Sequence, residues 1–175
     1  MRCYLDSSAL LKRAIPEPES ADLAAFVSVL EAQGSVFLTS VVSQIEVSRS
    51  LRRAAAMGRV EKTRAEVDYR AVMAGIEVIS MHSEVIDEAR VIGSDLLRSL
   101  DAIHLATAYW AGADMVITYD IRLIEACMQA GVMTARPGVV DATLPRDWEW
   151  LGEPHDEVQP PDSIWGEDSG WMVVH

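Results

Sequence analysis

Short apolar runs alternate with longer helical patterns over residues 1–138 of the chain. After each run, apolar residues recur every three or four positions, which is the period of a helix with one buried face. Strands that alternate with helices through short connections favour a parallel sheet with helices on both faces. The pattern therefore predicts a three-layer α/β/α fold with a parallel sheet of four or five strands. The predicted strands are residues 2–6, 35–39, 77–79, 115–117 and 132–134, the last of them marginal.

Serine, proline and glycine mark where the predicted helices begin and end. Ser7 or Ser8 is expected to cap the first helix, which the following prolines stop near residue 13. The third and fourth helices follow each other closely and are expected to form an antiparallel hairpin. The later predicted helices are residues 20–34, 40–57, 61–74, 82–97, 100–111 and 121–130.

The composition suits a single domain. Half of the 175 residues are hydrophobic, enough for a substantial core. No apolar run reaches the roughly 18 residues needed to cross a bilayer, so no membrane association is expected. No secretory signal is expected from the first residues, and the two cysteines are too few for a disulfide framework. We expect a cytoplasmic protein with reduced thiols.

Residues 139–175 differ from the rest. Nine acids against one base in 141–175 account for −8 of the net charge of −12, and four of the five tryptophans lie there. We see no helical or strand period in this segment, which predicts a domain at 1–138 followed by an irregular acidic extension. Two interpretations remain: a partly disordered tail, or a segment whose acids and tryptophans fold onto the basic hairpin and screen the site.

Four carboxylates fall where this fold would bring them together. Asp6 ends the first strand, Asp120 follows the fourth, and Asp101 lies in the first turn of a buried helix. Glu46 lies about two turns beyond the second strand. Ligands of open parallel sheets bind at the carboxyl ends of the strands, so we expect these acids to share one rim.

Each acid also has a structural explanation. Asp6 and Asp120 could cap helices, Asp101 could interact with a helix dipole, and Glu46 could pair with Arg49. Together, however, crowded carboxylates repel one another unless a cation is present. Oxygen ligands without histidine or cysteine select a hard ion, Mg²⁺ or Mn²⁺. Such an ion supports phosphodiester hydrolysis.

Three segments resemble a known family. Residues 5–12, Leu-Asp-Ser-Ser-Ala-Leu-Leu-Lys, resemble the opening of PIN-domain ribonucleases of the VapC toxin type. Residues 97–108 are similar to that family's central motif, residues 118–123 to its late motif, and Glu46 stands at the place of its second acid. The resemblance covers about residues 1–138 and implies a PIN-like fold.

The resemblance also implies a function: an endoribonuclease dependent on Mg²⁺ or Mn²⁺, usually a homodimer, silenced by a VapB-like antitoxin. By position, Asp6 and Asp101 would be the principal metal ligands, and Glu46 and Asp120 would complete the site. Ser8 and Thr118 match polar positions that could bind phosphate or water.

A basic segment accompanies these acids. Residues 49–70 carry seven bases against three acids, which is suited to RNA phosphates but also to a solvated surface with intrahelical pairs. Arg49, Arg53 and Arg98 are the candidate phosphate contacts. His104 is expected to be a core histidine with satisfied hydrogen bonds.

Three other kinds of protein are less well supported. A catalytically silent PIN-fold module that binds RNA or protein would be expected to have lost at least one of the four acids. An aspartyl-phosphate phosphatase would want a second aspartate where this chain has Ser8. A receiver domain would want a lysine after a late strand, and no lysine follows Lys62.

Overall fold

The computed structural model describes residues 1–61, 65–94 and 97–139. Residues 1–139 form one compact unit. The acidic extension from residue 140 onward lies outside the described residues. The domain boundary at 138 and both interpretations of the extension therefore stay predictions.

Strands and helices alternate along the described chain. The strands are β1 (Arg2–Leu5), β2 (Val36–Ser40), β3 (Ile76–Ile79), β4 (Met115–Ile117) and β5 (Met133–Ala135). The helices are α1 (Ser7–Leu11), α2 (Ser20–Ala32), α3 (Val41–Ala56), α4 (Ala65–Met73), α5 (Ser83–Ala89), α6 (Ser99–Trp110) and α7 (Ile121–Gln129). Among the described residues, no helix is long and apolar enough to cross a membrane.

The five strands form one parallel sheet in the order β3-β2-β1-β4-β5. The first strand is central, and Leu5 lies in register beside Ile117 of β4. The backbone N–H of Asp6 donates to the carbonyl of Ile117 at 3.2 Å, which extends this pairing by one residue. The chain therefore leaves β1 and β4 side by side, and their next residues meet at the same rim.

Successive residues of β1 point to opposite faces of the sheet, as the pleat requires. Cys3 and Leu5 pack with residues of α1, α2, α3 and α4, whereas Tyr4 packs with residues of α6 and α7. The sheet thus has a hydrophobic core on each side. This confirms the predicted three-layer α/β/α architecture.

Two local predictions are wrong. The helix expected over residues 82–97 ends at Ala89, and the chain then turns through Gly93, whose φ of 79° favours glycine. Ile92 continues the apolar period of Val85 and Ala89, and it packs against the core although it lies beyond the end of the helix. At the first helix, the N-cap is Asp6 rather than Ser7 or Ser8, because the Asp6 side chain accepts from the backbone of Ala9.

Candidate active site at the carboxyl ends of the strands

Asp6 is held by a complete set of hydrogen bonds. Its side chain is buried, and Oδ1 accepts from the backbone N–H of Ala9 at 2.9 Å and from the Ser8 hydroxyl at 2.7 Å. Its second oxygen, Oδ2, accepts from the Thr118 hydroxyl at 2.9 Å. Both carboxylate oxygens therefore have fixed positions in the folded chain.

The hydroxyls that hold Asp6 also join the two neighbouring loops. Ser8 Oγ accepts from the backbone N–H of Tyr119 at 2.8 Å, and Thr118 Oγ1 accepts from that of Asp120 at 3.1 Å. The loop after β1 is thereby tied to the loop after β4. Ser8 and Thr118 were predicted to touch phosphate or water, and that role stays a prediction. Their contacts within the protein are to Asp6 and to the backbone.

The charge of Asp6 is only partly compensated. Burial raises the pKa of this carboxyl, and the nearby His104 and the three hydrogen bonds do not fully offset that effect. Its surroundings would therefore favour a positive charge close to the carboxylate.

Asp101 and Asp120 lie on the α6 and α7 side of the rim. Asp120 caps α7, since its Oδ1 accepts from the backbone N–H of Arg122 at 2.8 Å. Asp101 lies in the first turn of α6, and its Oδ2 is buried without a hydrogen-bond partner among the described residues. Burial and then the charge of Asp120 raise the pKa of Asp101. The two carboxylates are thus close enough to repel each other.

Glu46 reaches the rim from α3 and is held by a histidine. Its Oε2 lies 2.8 Å from Nε2 of His104, whose Nδ1 lies 2.7 Å from the Tyr4 hydroxyl. The sequence left open a pair between Glu46 and Arg49, but the partner in the structure is His104. As predicted, His104 is a buried histidine with both ring nitrogens bonded. Its link to Glu46 was missed, because the two residues are 58 positions apart and meet only where α3 and α6 pack.

The electrostatics show that the acids surround His104. Burial lowers the pKa of His104. Its hydrogen bond to Glu46 and the charges of Asp6, Glu46 and Asp101 raise this pKa by more, so that it lies above its usual value. For Glu46 the two effects have the opposite signs. Burial raises its pKa, but the hydrogen bond and the charge of His104 bring the pKa below its usual range. One imidazole is therefore influenced by the charges of three of the four predicted acids.

The donors at this site fit a hard divalent cation. They are carboxylate oxygens, they carry excess negative charge, and one of them is buried with no hydrogen-bond partner in the described part of the chain. As they stand, no three acidic, histidine or cysteine side chains among the described residues are arranged to enclose an ion. Bringing Asp101 and Asp120 together around a cation would relieve both the repulsion and the unpaired oxygen.

Exposed arginines lie around the acids. Arg98 precedes α6, and both Arg98 and Arg122 are close enough to lower the pKa of Asp101 against its overall upward shift. Arg122 was not predicted; it lines a shallow cavity of about 560 Å³ with Tyr119, Asp120, Ile121 and Glu125. Its place two residues after Asp120 was the available signal.

Two arginines of α3 share a side of the helix with Glu46. Positions 49 and 53 are one and two turns beyond position 46, and both side chains are exposed. None of the ion pairs between described residues involves either of them. Lys62 and Arg64 of the predicted basic hairpin lie outside the described residues.

The fold and the acidic rim define a family. A family model of the PIN domain matches residues 3–127, and the chain therefore belongs to the PIN domain family. Within it, ribonuclease VapC47 of Mycobacterium tuberculosis is 37% identical over 139 residues, which are 78% of this chain and 98% of the relative. The resemblance found in the sequence is thus confirmed.

Solved structures show the same fold. VapBC2 from Rickettsia felis, bound to a DNA fragment from its promoter, gives a TM-score of 0.61 at 11% identity and covers 77% of this chain and 98% of its own. VapC20 of Mycobacterium tuberculosis, a toxin that cleaves the sarcin-ricin loop, gives 0.57 at 15% identity over 77% and 99% of the two chains. At these identities the likeness concerns the fold.

Proposed function

We propose that this protein is a divalent-metal-dependent endoribonuclease that acts as the toxin of a toxin–antitoxin pair. The observation that carries the proposal is the buried Oδ2 of Asp101, which has no partner within residues 1–61, 65–94 and 97–139 and lies beside Asp120, at the rim that also holds Asp6 and Glu46. An uncompensated carboxylate oxygen in a packed protein is expensive unless function retains it. The name ribonuclease, borne by a relative 37% identical to this chain, supports RNA as the substrate.

In this proposal Asp6 and Asp101 hold Mg²⁺ or Mn²⁺, and Glu46 and Asp120 complete the site directly or through water. When bound, such an ion polarises the phosphodiester and lowers the pKa of a bound water. Ser8 and Thr118 keep the oxygens of Asp6 in place, because each donates its hydroxyl proton to that carboxylate.

RNA phosphates would be bound by the arginines around the acids. Arg98 and Arg122 lie nearest to Asp101, and Arg49 and Arg53 extend from Glu46 along α3. An exposed guanidinium attracts phosphate independently of the base. These contacts therefore favour binding of an RNA strand without dictating where it is cut.

The similar solved structures support a proposal for the protein partner of this chain. The Rickettsia felis structure pairs a toxin with an antitoxin on promoter DNA, and we propose a VapB-like antitoxin for this chain too. The RNA substrate and the two free, buried cysteines support a cytoplasmic location.

For the proposed homodimer, we assign the surface beside α5. A groove of about 790 Å³ between α5 and the start of α6 is flanked by the exposed side chains of Met81, Ile86 and Val91. Contiguous exposed apolar surface of this kind is typical of protein interfaces.

Ile86→Asp should shift the protein from dimer to monomer in light scattering after gel filtration. A wild-type monomer, or an unchanged dimer in the variant, would exclude this surface.

The activity is tested with purified full-length protein and mixed RNA. Cleavage should need added Mg²⁺ or Mn²⁺, should stop in EDTA, and should be lost in Asp6→Asn and in Asp101→Asn. Cutting that persists in EDTA, or full activity in both variants, would contradict the proposed mechanism.

A further inference from the structure

The chain Tyr4–His104–Glu46 joins the central strand of the sheet to the acidic rim. Resting on the proposed function, we infer that His104, anchored by Tyr4, is a positioning residue that sets the orientation of the Glu46 carboxylate. Two short contacts define the chain: 2.7 Å from the Tyr4 hydroxyl to Nδ1 and 2.8 Å from Nε2 to Oε2 of Glu46.

The Tyr4 end of this chain is rigid. Tyr4 lies in the middle of β1, which is hydrogen-bonded to β2 on one side and β4 on the other, and its side chain is 0% exposed. Its ring meets the imidazole edge-on, with the ring centroids 6.0 Å apart. The hydroxyl is therefore a fixed point to which the imidazole is attached.

The Glu46 end would be loose without this contact. Its side chain is 27% exposed, and it leaves α3 about two turns beyond the end of β2. A glutamate has three side-chain torsions, so its carboxylate samples many positions unless a partner selects one. His104 holds Oε2 and so restricts the orientation of the carboxylate. The Ser7 hydroxyl also interacts with this carboxylate.

His104 is not itself a free ligand. Both ring nitrogens are engaged, one by Tyr4 and the other by Glu46, and the side chain is 3% exposed. A metal ligand whose position is set by a hydrogen bond from a buried neighbour commonly depends on that neighbour for affinity and rate. His104 therefore acts through Glu46.

Two substitutions separate the two contacts of His104. Glutamine places an N–H near the position of Nε2 and can keep the bond to Glu46, whereas asparagine places its polar group near Nδ1 and keeps only Tyr4. We expect His104→Asn to lower both kcat and Mn²⁺ affinity by about 10- to 100-fold. His104→Gln, which keeps the bond to Glu46 and loses the anchor at Tyr4, should lose clearly less than His104→Asn in both, to the same extent as Tyr4→Phe. Calorimetric Mn²⁺ titration gives the affinity without reference to cleavage.

Stability provides the control against a role in packing alone. If His104 only fills the core, both variants should lose activity in proportion to the decrease in their melting temperatures. The asparagine and glutamine variants should then have the same activity when their stabilities are equal. That result would overturn the inference. Tyr4→Phe, which keeps the ring and removes the anchor, should reduce Mn²⁺ affinity; an unchanged affinity would contradict the role given to Tyr4.

A double-mutant cycle with Glu46→Gln completes the test. Because His104 acts through Glu46, His104→Asn should reduce kcat little further in the Glu46→Gln background. Fully additive losses would contradict the inference. Failure of the proposed function is distinguishable: wild-type protein would then show no metal-dependent cleavage, and the inference would fall with it. Cleavage by wild type with equal asparagine and glutamine variants would overturn the inference alone.

Discussion

The two ends of the acidic rim are built differently. At Asp6 the protein supplies three donors, and the carboxylate caps a helix and ties two loops together. At Asp101 a buried oxygen has no hydrogen-bond partner among the described residues. After burial, the largest effect on the pKa of Asp101 comes from a second carboxylate, that of Asp120. Both acids end up at one rim, but only the first is satisfied by the fold.

This difference separates structural from functional demands. Three hydrogen bonds offset much of the cost of burying the Asp6 carboxylate, whereas Asp101 has a like charge beside it, which adds to the cost of its burial. Proteins retain such local instability where activity requires it. We therefore interpret the Asp6 corner as the prepared half of the metal site and the Asp101 corner as the half that a cation would complete.

The largest effect should be on activity and should not distinguish the two corners. Asp6→Asn and Asp101→Asn should each lower metal-dependent RNA cleavage by roughly 10³-fold, because each removes a charged oxygen ligand. Asp87→Asn, at an exposed position of α5, is the matched control and should cleave normally. Retention of activity in only one of the two site variants would contradict the expectation that Asp6 and Asp101 are equally necessary for cleavage.

The next effect concerns stability at the Asp6 corner. Thr118→Val should lower the free energy of unfolding by about 1–3 kcal/mol, because Asp6 Oδ2 and the backbone N–H of Asp120 lose their partner. Urea unfolding of metal-free protein measures it. Thr118→Ser keeps the hydroxyl and should lose clearly less; equal losses would mean that packing, not hydrogen bonding, matters at this position.

The opposite sign is expected at the Asp101 corner. Asp101→Asn should raise the free energy of unfolding of the metal-free protein by about 0.5–1 kcal/mol, since it removes the repulsion from Asp120 and the burial of a charge. The same urea experiment in EDTA detects it. A destabilised Asp101→Asn protein would show that this corner is held by contacts like those at Asp6.

The smallest effect concerns a compensated charge nearby. Lys12 Nζ is bonded to Glu17 and Glu19, and the bond to Lys12 brings the pKa of Glu19 below its usual range. A lowered carboxyl pKa contributes stability above the unfolded value, which is lost as the pH falls through the folded one. The stability difference between wild type and Lys12→Met should therefore shrink between about pH 5 and pH 3. A difference that stays constant in thermal melts over this range would exclude the Glu19 contribution.

The order of elements along the chain predicted most of the fold and predicted that three of the four acids lie at one rim of the sheet. Strand and helix periods placed the parallel sheet, and strand ends then placed Asp6 and Asp120 at one rim. The partner of Glu46 could not be predicted in this way, because His104 is 58 residues away and meets it only after α3 and α6 pack. The end of α5 was missed because Ile92 continues the apolar period and still packs against the core beyond the last helical residue.

The convergence of the four carboxylates on a divalent cation is tested most directly by calorimetric titration of Mn²⁺ into metal-free protein. Wild type should bind saturably, and Asp6→Asn and Asp101→Asn should each weaken binding by at least about tenfold. Asp87→Asn should bind as wild type does. Absence of binding at millimolar Mn²⁺, or wild-type affinity in Asp101→Asn, would contradict a metal site at this rim.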